Sequence, residues 1–295
     1  MTDPTAARRA RFAAVVRGEP VDLAEACLLI GAEADPSLDF GPCRAELDRL
    51  AAAVAAELAE PPHDAEPSRA AAVLALVLGA RAGFRGGQAD YGDLRSSLLD
   101  QVLRRRRGLP ILLSAVWTEV GRRAGLPVYG VALPGHFVVG IGDPDAAFVL
   151  ADPFDGGRLM TETDARAVAL AAGGSPDDPH LLRPAPPHAI LLRILNNVRG
   201  WAQGPHAAMA PARGPVTVPV PERTWTQLWA VELSLLLPRH PAVLRRERGA
   251  LLVQTGDFPG GAAELEAFAD LVGPIDRELA DAVRREARAA RARLN

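Results

Sequence analysis

Along residues 1–60, apolar side chains recur every three or four positions. Phe12, Val15 and Val16 share one face, Leu23, Cys27, Leu28 and Ile30 a second, and Leu47, Leu50, Val54 and Leu58 a third. That spacing suits 3.6 residues per turn and predicts helices, with Pro36, Gly41 and Pro42 separating the second from the third. Pro61 and Pro62 open a polar break before a further helix over 68–78. Residues 94–106 repeat the helical pattern with Leu98, Leu99, Val102 and Leu103, and Gly108 is the expected stop. Pro110 suits the first position of a new helix, where its missing N–H is not needed, and 111–123 is apolar on most sides. That stretch reads as a buried central helix.

After Gly125-Leu-Pro127 the period changes from helix to strand. Residues 128–133, 136–141 and 147–152 are short β-rich runs separated by Pro-Gly and Gly-Asp-Pro-Asp turns, which predicts an antiparallel meander packed on the central helix. The fold class is therefore α+β. A helix over 161–170 is capped by Thr161 and Thr163, and a proline-rich connector over 175–187 marks a domain boundary. Beyond it, helical patterns cover 188–203, 224–237, 241–255 and 259–272, with a tail helix to Asn295. The third and fourth match one tetratricopeptide unit of about 34 residues. The first pair reads as a second unit split by the proline-rich insertion 204–221. Two domains are expected, at 1–175 and 188–295.

Composition narrows the function classes. The formal charge of -3 supplies no field to gather nucleic acid or an anionic membrane, and the run Arg104 to Arg107 is a solvated helix end. All 33 basic residues are arginine, so the chain offers no side-chain amine as an acyl acceptor. Two cysteines cannot build a disulfide framework; Cys27 reads as core and Cys43 as inert. The N-terminus lacks the apolar core of a signal peptide, and no run reaches about 18 apolar residues, so a soluble, cytoplasmic protein is expected. Neither a cofactor nor a metal is expected: no dinucleotide fingerprint occurs, and His136, His180 and His188 lack ligand spacing or a cysteine partner. The glycine-rich stretch 83–92 has no following Lys-Ser or Lys-Thr and no preceding strand, which rejects a P-loop and leaves a tight loop beside the site. Trp201, Trp225 and Trp229 read as packing residues between helices rather than a stacking platform for nucleic acid.

Chemistry concentrates in the centre. A group at the head of a buried helix gains from the helix dipole and free N–H groups. A histidine on the neighbouring strand can serve as base, and an aspartate on the next can fix its tautomer. His136 and Asp152 fill the last two roles. The residues Tyr91, Leu98 to Leu103, Arg107-Gly108, Pro110-Ile111, Leu113-Ser114, Gly125-Leu-Pro127, Tyr129-Gly-Val131, Pro134-Gly-His-Phe137 and Asp152-Pro-Phe154 with Gly156-Gly157 carry a resemblance to a known family. The chain resembles the bacterial transglutaminase-like family with C-terminal tetratricopeptide repeats, often called the Sir B family, over roughly 20–275. The resemblance implies a papain- or transglutaminase-like core and a His136–Asp152 pair. It also implies that a cysteine should open the central helix, where this chain has Pro110. Ser114, one turn further on, is a substitute nucleophile to weigh, although a mid-helix hydroxyl commonly bonds back to a carbonyl. Two readings follow. One is a noncatalytic domain that binds a protein or peptide partner through its repeat helices. The other is an amide or ester hydrolase or acyl transferase using His136 and Asp152 with Ser114 or water.

Overall fold

The structure, a computed structural model, describes residues 3–59, 66–204 and 222–293. The Pro61–Pro62 break and all but the start of the 204–221 insertion lie outside the described residues. The N-terminal periodicity is realised as α1 (Pro4–Arg17), α2 (Leu23–Ala34) and α3 (Phe40–Ala59). Gly41 and Pro42 fall inside the first turn of α3 rather than in the break before it. Proline is tolerated there because first-turn N–H groups have no acceptor within the helix. The expected helix over 68–78 is α4 (Pro67–Leu74) followed by a wide turn over Ala75–Arg81 with π-type bonding. At Gly79 in that turn an added Cβ would lie 1.9 Å from the Gly156 carbonyl oxygen, so glycine is required by close backbone approach.

The expected helix over 94–106 is also broken. Leu94–Ser97 is a 3-10 turn, Leu98 is extended, and α5 spans Leu99–Arg105. Its end is not at Gly108: Arg106 adopts the left-handed conformation (φ 59°), its N–H bonded to the Val102 carbonyl. The central helix α6 (Pro110–Arg123) is buried along most of its length, including Trp117 at 0% exposure. The meander follows as β1 (Val128–Leu133), β2 (His136–Gly142) and β3 (Phe148–Asp152). A fourth strand, β4 (Arg158–Met160), was not anticipated, being too short for a periodic signal. The sheet order is β1-β2-β3-β4, each neighbour antiparallel. One face packs on α6. Val131, Leu133, Val138, Leu150 and Met160 form a cluster with Ala165 and Ala169 of α7 (Glu162–Ala171). Thr161 and Asp164 close a capping box at the start of α7.

The chain divides into two compact units, one of residues 18–194 and one joining residues up to Arg17 with those from Leu195 onward. This differs from the division expected at 175–188. The connector does not lie between domains, because it lines the sheet: Val131 bridges Pro184, the Ala185 N–H donates to the Gly130 carbonyl at 2.8 Å, and Leu181 is buried. Backbone hydrogen bonding along β1 thus holds a segment whose composition suggests a linker. The boundary falls within α8 (Pro187–Gln203).

In the other unit, α9 (Glu222–Leu236), α10 (Val243–Thr255), α11 (Phe258–Val272) and α12 (Arg277–Ala292) follow in sequence, and α1 packs on α9 with an Arg9–Glu232 ion pair at 2.6 Å. Asp257 and Asp276 cap α11 and α12. Trp229 is buried, as expected of a packing residue, whereas Trp225 is 51% exposed on the same helix.

Candidate functional site

Strand register brings the central residues together. In the β2–β3 ladder Val139 faces Ala151, so continuing the pairing sets Val138 level with Asp152 and His136 level with Phe154. Residues two apart on a strand share a face, which makes His136 and Asp152 diagonal neighbours on one side of the sheet. Their contact follows: His136 Nε2 lies 2.9 Å from Asp152 Oδ2. The other carboxylate oxygen, Oδ1, accepts the Phe154 N–H at 2.9 Å, and the Gly157 N–H donates to the Asp152 carbonyl at 2.7 Å. The turn after Asp152 therefore fixes its side chain before the imidazole is considered. A neutral His136 that donates from Nε2 to the carboxylate carries its lone pair on Nδ1. That nitrogen has no protein partner among the described residues and is not sealed from solvent; the side chain is 16% exposed.

Three further residues shape the surroundings. The Phe154 ring stands edge-on to the imidazole, centroids 6.0 Å apart at 89°, and Tyr91 packs on Phe154 at 5.9 Å. The 83–92 stretch reaches this position through a buried carboxylate. Asp90 accepts from Arg107 at 2.9 Å and from the Ser96 hydroxyl at 3.0 Å, which ties the loop to the segment between α5 and α6 and to the turn ahead of α5. The Gly86 N–H donates to the Phe154 carbonyl at 2.9 Å, and a Cβ on Gly86 would lie 1.9 Å from the Phe154 ring. Burial pushes the Tyr91 phenol up from its ordinary pKa, Asp152 adds to the shift and Arg193 opposes it. Arg193, from the first half of α8, donates to the Leu133 carbonyl at 3.1 Å and the His136 carbonyl at 2.8 Å, with its guanidinium over the Phe137 ring. It clasps the two-residue turn Pro134–Gly135 (Gly135 φ 69°) that presents His136. Sequence reasoning missed this arginine, because nothing in the α8 periodicity distinguishes it. Tyr91 and Arg107 were noted as matching residues without a role.

The head of α6 completes the geometry. Ser114 stands at Phe137, and Gly121 stands against Val128, whose ladder partner is Ile141, so α6 and β2 run in the same direction. One turn back from Ser114, about 6 Å at 1.5 Å per residue, Pro110 lies toward the turn that opens β2, the end of the strand that carries His136. Pro110 is buried at the first helical position, and no side chain caps this terminus. Ser114 is not brought to the imidazole: it is fully buried and its hydroxyl donates to the Phe137 carbonyl at 3.4 Å. A residue one turn deeper in the helix faces the body of β2 rather than its open end. Cys27 and Cys43 lie elsewhere, on α2 and α3; both are buried, and burial pushes both thiols above their ordinary pKa. A cleft of about 600 Å³ lined by Gly79, Arg85, Gly86 and Phe154 to Arg158 adjoins the site through Phe154.

Comparison with known proteins agrees with this architecture. The chain is similar over 200 residues, at 35% identity, to a UPF0162 protein of Xylella fastidiosa (strain Temecula1), covering 64% of this chain and 63% of the relative. It is 34% identical over 183 residues to the UPF0162 protein of Pseudomonas aeruginosa, covering 61% of this chain and 65% of that one. The chain thus spans somewhat under two thirds of the length of these curated relatives. A shorter stretch of 56 residues is 38% identical to F-box only protein 21 of Mus musculus, 19% of this chain and 9% of that protein. No solved structure matches the chain. The tetratricopeptide repeat model matches residues 221–295. The family model of the transglutaminase-like superfamily matches residues 42–196, the stretch that carries α6, the sheet, His136 and Asp152, and the chain belongs to that superfamily.

Proposed function

We propose that the transglutaminase-like domain of this chain recognises a ligand without forming an acyl-enzyme, and that the repeat helices supply a protein-binding surface, so that the whole acts as a binding or regulatory factor. The feature that supports the reading is Pro110 at the head of α6, where the family resemblance implies a cysteine. Covalent acyl transfer needs a thiol or hydroxyl there, and a proline ring has neither. Ser114 does not substitute, since its hydroxyl is spent on a carbonyl inside the core. The His136–Asp152 pair keeps a value without turnover, because removing either partner would leave the other's polar group unsatisfied in a partly buried place. Tetratricopeptide repeats generally mediate protein interactions, which supports the second half of the proposal. No described helix is long and apolar enough to cross a membrane.

A second reading has its own support. The unpartnered Nδ1 of His136 could activate a water, making the domain a hydrolase without a covalent intermediate. The test is direct: the purified full chain is incubated with p-nitrophenyl acyl esters and with aminoacyl and γ-glutamyl p-nitroanilides, beside its His136→Ala variant. The recognition reading expects the two proteins to release chromophore at equal rates. A rate that His136→Ala abolishes, with the fold retained, replaces it with water-based hydrolysis.

A further inference from the structure

Arg193 is a half-buried cation without a carboxylate partner among the described residues. Asp152 forms no ion pair with Arg193; its oxygens meet His136 and the Phe154 N–H. A guanidinium has more N–H donors than the Leu133 and His136 carbonyls consume. Carbonyl dipoles satisfy hydrogen bonds yet leave the net charge uncompensated, which is unfavourable where solvent is partly excluded. Within the reach of that charge stands the Tyr91 hydroxyl, on a side chain 49% exposed and lodged against Phe154.

We propose that the surroundings of His136 bind a carboxylate-bearing ligand, its oxygens taken by Arg193 and the Tyr91 hydroxyl. This rests on the recognition reading and names the chemistry of what is recognised. A singly charged, planar anion with two oxygens fits one cation and one hydroxyl; a phosphate draws on a denser set of donors and cations. The carboxylate comes from a free small acid or from a polypeptide, as a C-terminus or an acidic side chain. The aromatic wall of Phe154 and Tyr91 suits an apolar stem behind it.

The experiment follows the ring signals of His136 and Tyr91 by proton–carbon NMR in the labelled full chain. The titrants are glutarate, inorganic phosphate, acetyl-tetra-alanine with a free carboxylate, and the same peptide as its C-terminal amide. The proposal expects saturable shifts with a carboxylate and none with the amide. Tighter binding of the peptide than of glutarate assigns the source to a polypeptide, and the reverse assigns it to a small acid. Arg193→Gln, which keeps an N–H donor for the turn carbonyls, is expected to weaken binding at least about tenfold, and Tyr91→Phe several-fold. If Arg193→Gln unfolds, Arg193→Lys and the half-exposed Tyr91→Phe carry the comparison. The proposal fails if no carboxylate shifts these signals, if the amide or phosphate binds as tightly, or if the variants bind as the parent does. Because the readout is binding, its failure is separate from that of the recognition reading, which falls only to His136-dependent turnover.

Discussion

Pro110→Cys would place a thiol at the head of α6, at the end of the helix nearer the start of β2 that carries His136. Two effects lower its pKa, and the burial of this position opposes them. The helix N-terminus and a neighbouring imidazolium both favour the thiolate, and in such positions thiol pKa values fall from about 8.5 into the range of roughly 3.5–7.5. Taking about 6.5 as a middle value, the thiolate fraction at pH 6.5 is about 50% against about 1% for an ordinary thiol. Intrinsic nucleophilicity falls as pKa falls, with a slope of about 0.4–0.5, so two units cost roughly eightfold and the net rate gain is only about sixfold. The rate alone is therefore a weak readout, and the pH at which it levels off is a strong one. Alkylation by iodoacetamide, followed by intact mass spectrometry from pH 5 to 9, should level off near pH 6.5 for Pro110→Cys. The inflection should return toward 8.5 when His136→Ala is added. Cys27 and Cys43 are buried with raised pKa values, so they contribute little background in the acidic half of that range. Loss of a proline from the first helical position costs about 0.4–1 kcal/mol, small enough to keep the fold. An inflection at or above 8.5, independence from His136, or no alkylation at any pH would refute the placement of Pro110 beside an open imidazole.

Arg107→Ala should destabilise the unit by about 1–3 kcal/mol, less than stranding a buried charge costs, because Asp90 keeps the Ser96 hydroxyl as a donor and Arg105 at 3.9 Å. Urea unfolding measures it, and the Tyr91 ring signal should lose its dependence on Phe154; an unchanged midpoint would remove the loop anchor from the account. Asp100 is 9% exposed with one carboxylate oxygen lacking a partner, and burial raises its pKa. A carboxyl whose folded pKa is raised favours folding while protonated, and that contribution is lost as pH climbs from the unfolded value through the folded one. Asp100→Asn should therefore gain in melting temperature relative to the parent as pH rises from about 4 to neutrality; a difference that is flat with pH would show that Asp100 is not the strained group.

Much of this architecture is legible in local pattern. The buried α6, the three longer strands and the five C-terminal helical segments follow from period and turn chemistry, since each element must bury a stripe or a face whatever surrounds it. His136 and Asp152 could be named because a turn and a strand end place them, and the ladder then makes them diagonal neighbours. What pattern could not supply lies in contacts between segments far apart in the chain. Arg193 sits on a helix 57 residues from the turn it clasps, and its role exists only because α8 starts where the connector leaves β1. Tyr91 reaches Phe154 through an Asp90–Arg107 pair whose members are 17 residues apart across an irregular loop. The grouping of α1 with the C-terminal helices likewise depends on packing between opposite ends of the chain. Ser114, weighed as a substitute nucleophile one turn beyond Pro110, is buried with its hydroxyl on the Phe137 carbonyl. Side-chain period names a face, whereas reach and partners along that face are set by the other elements folded against it.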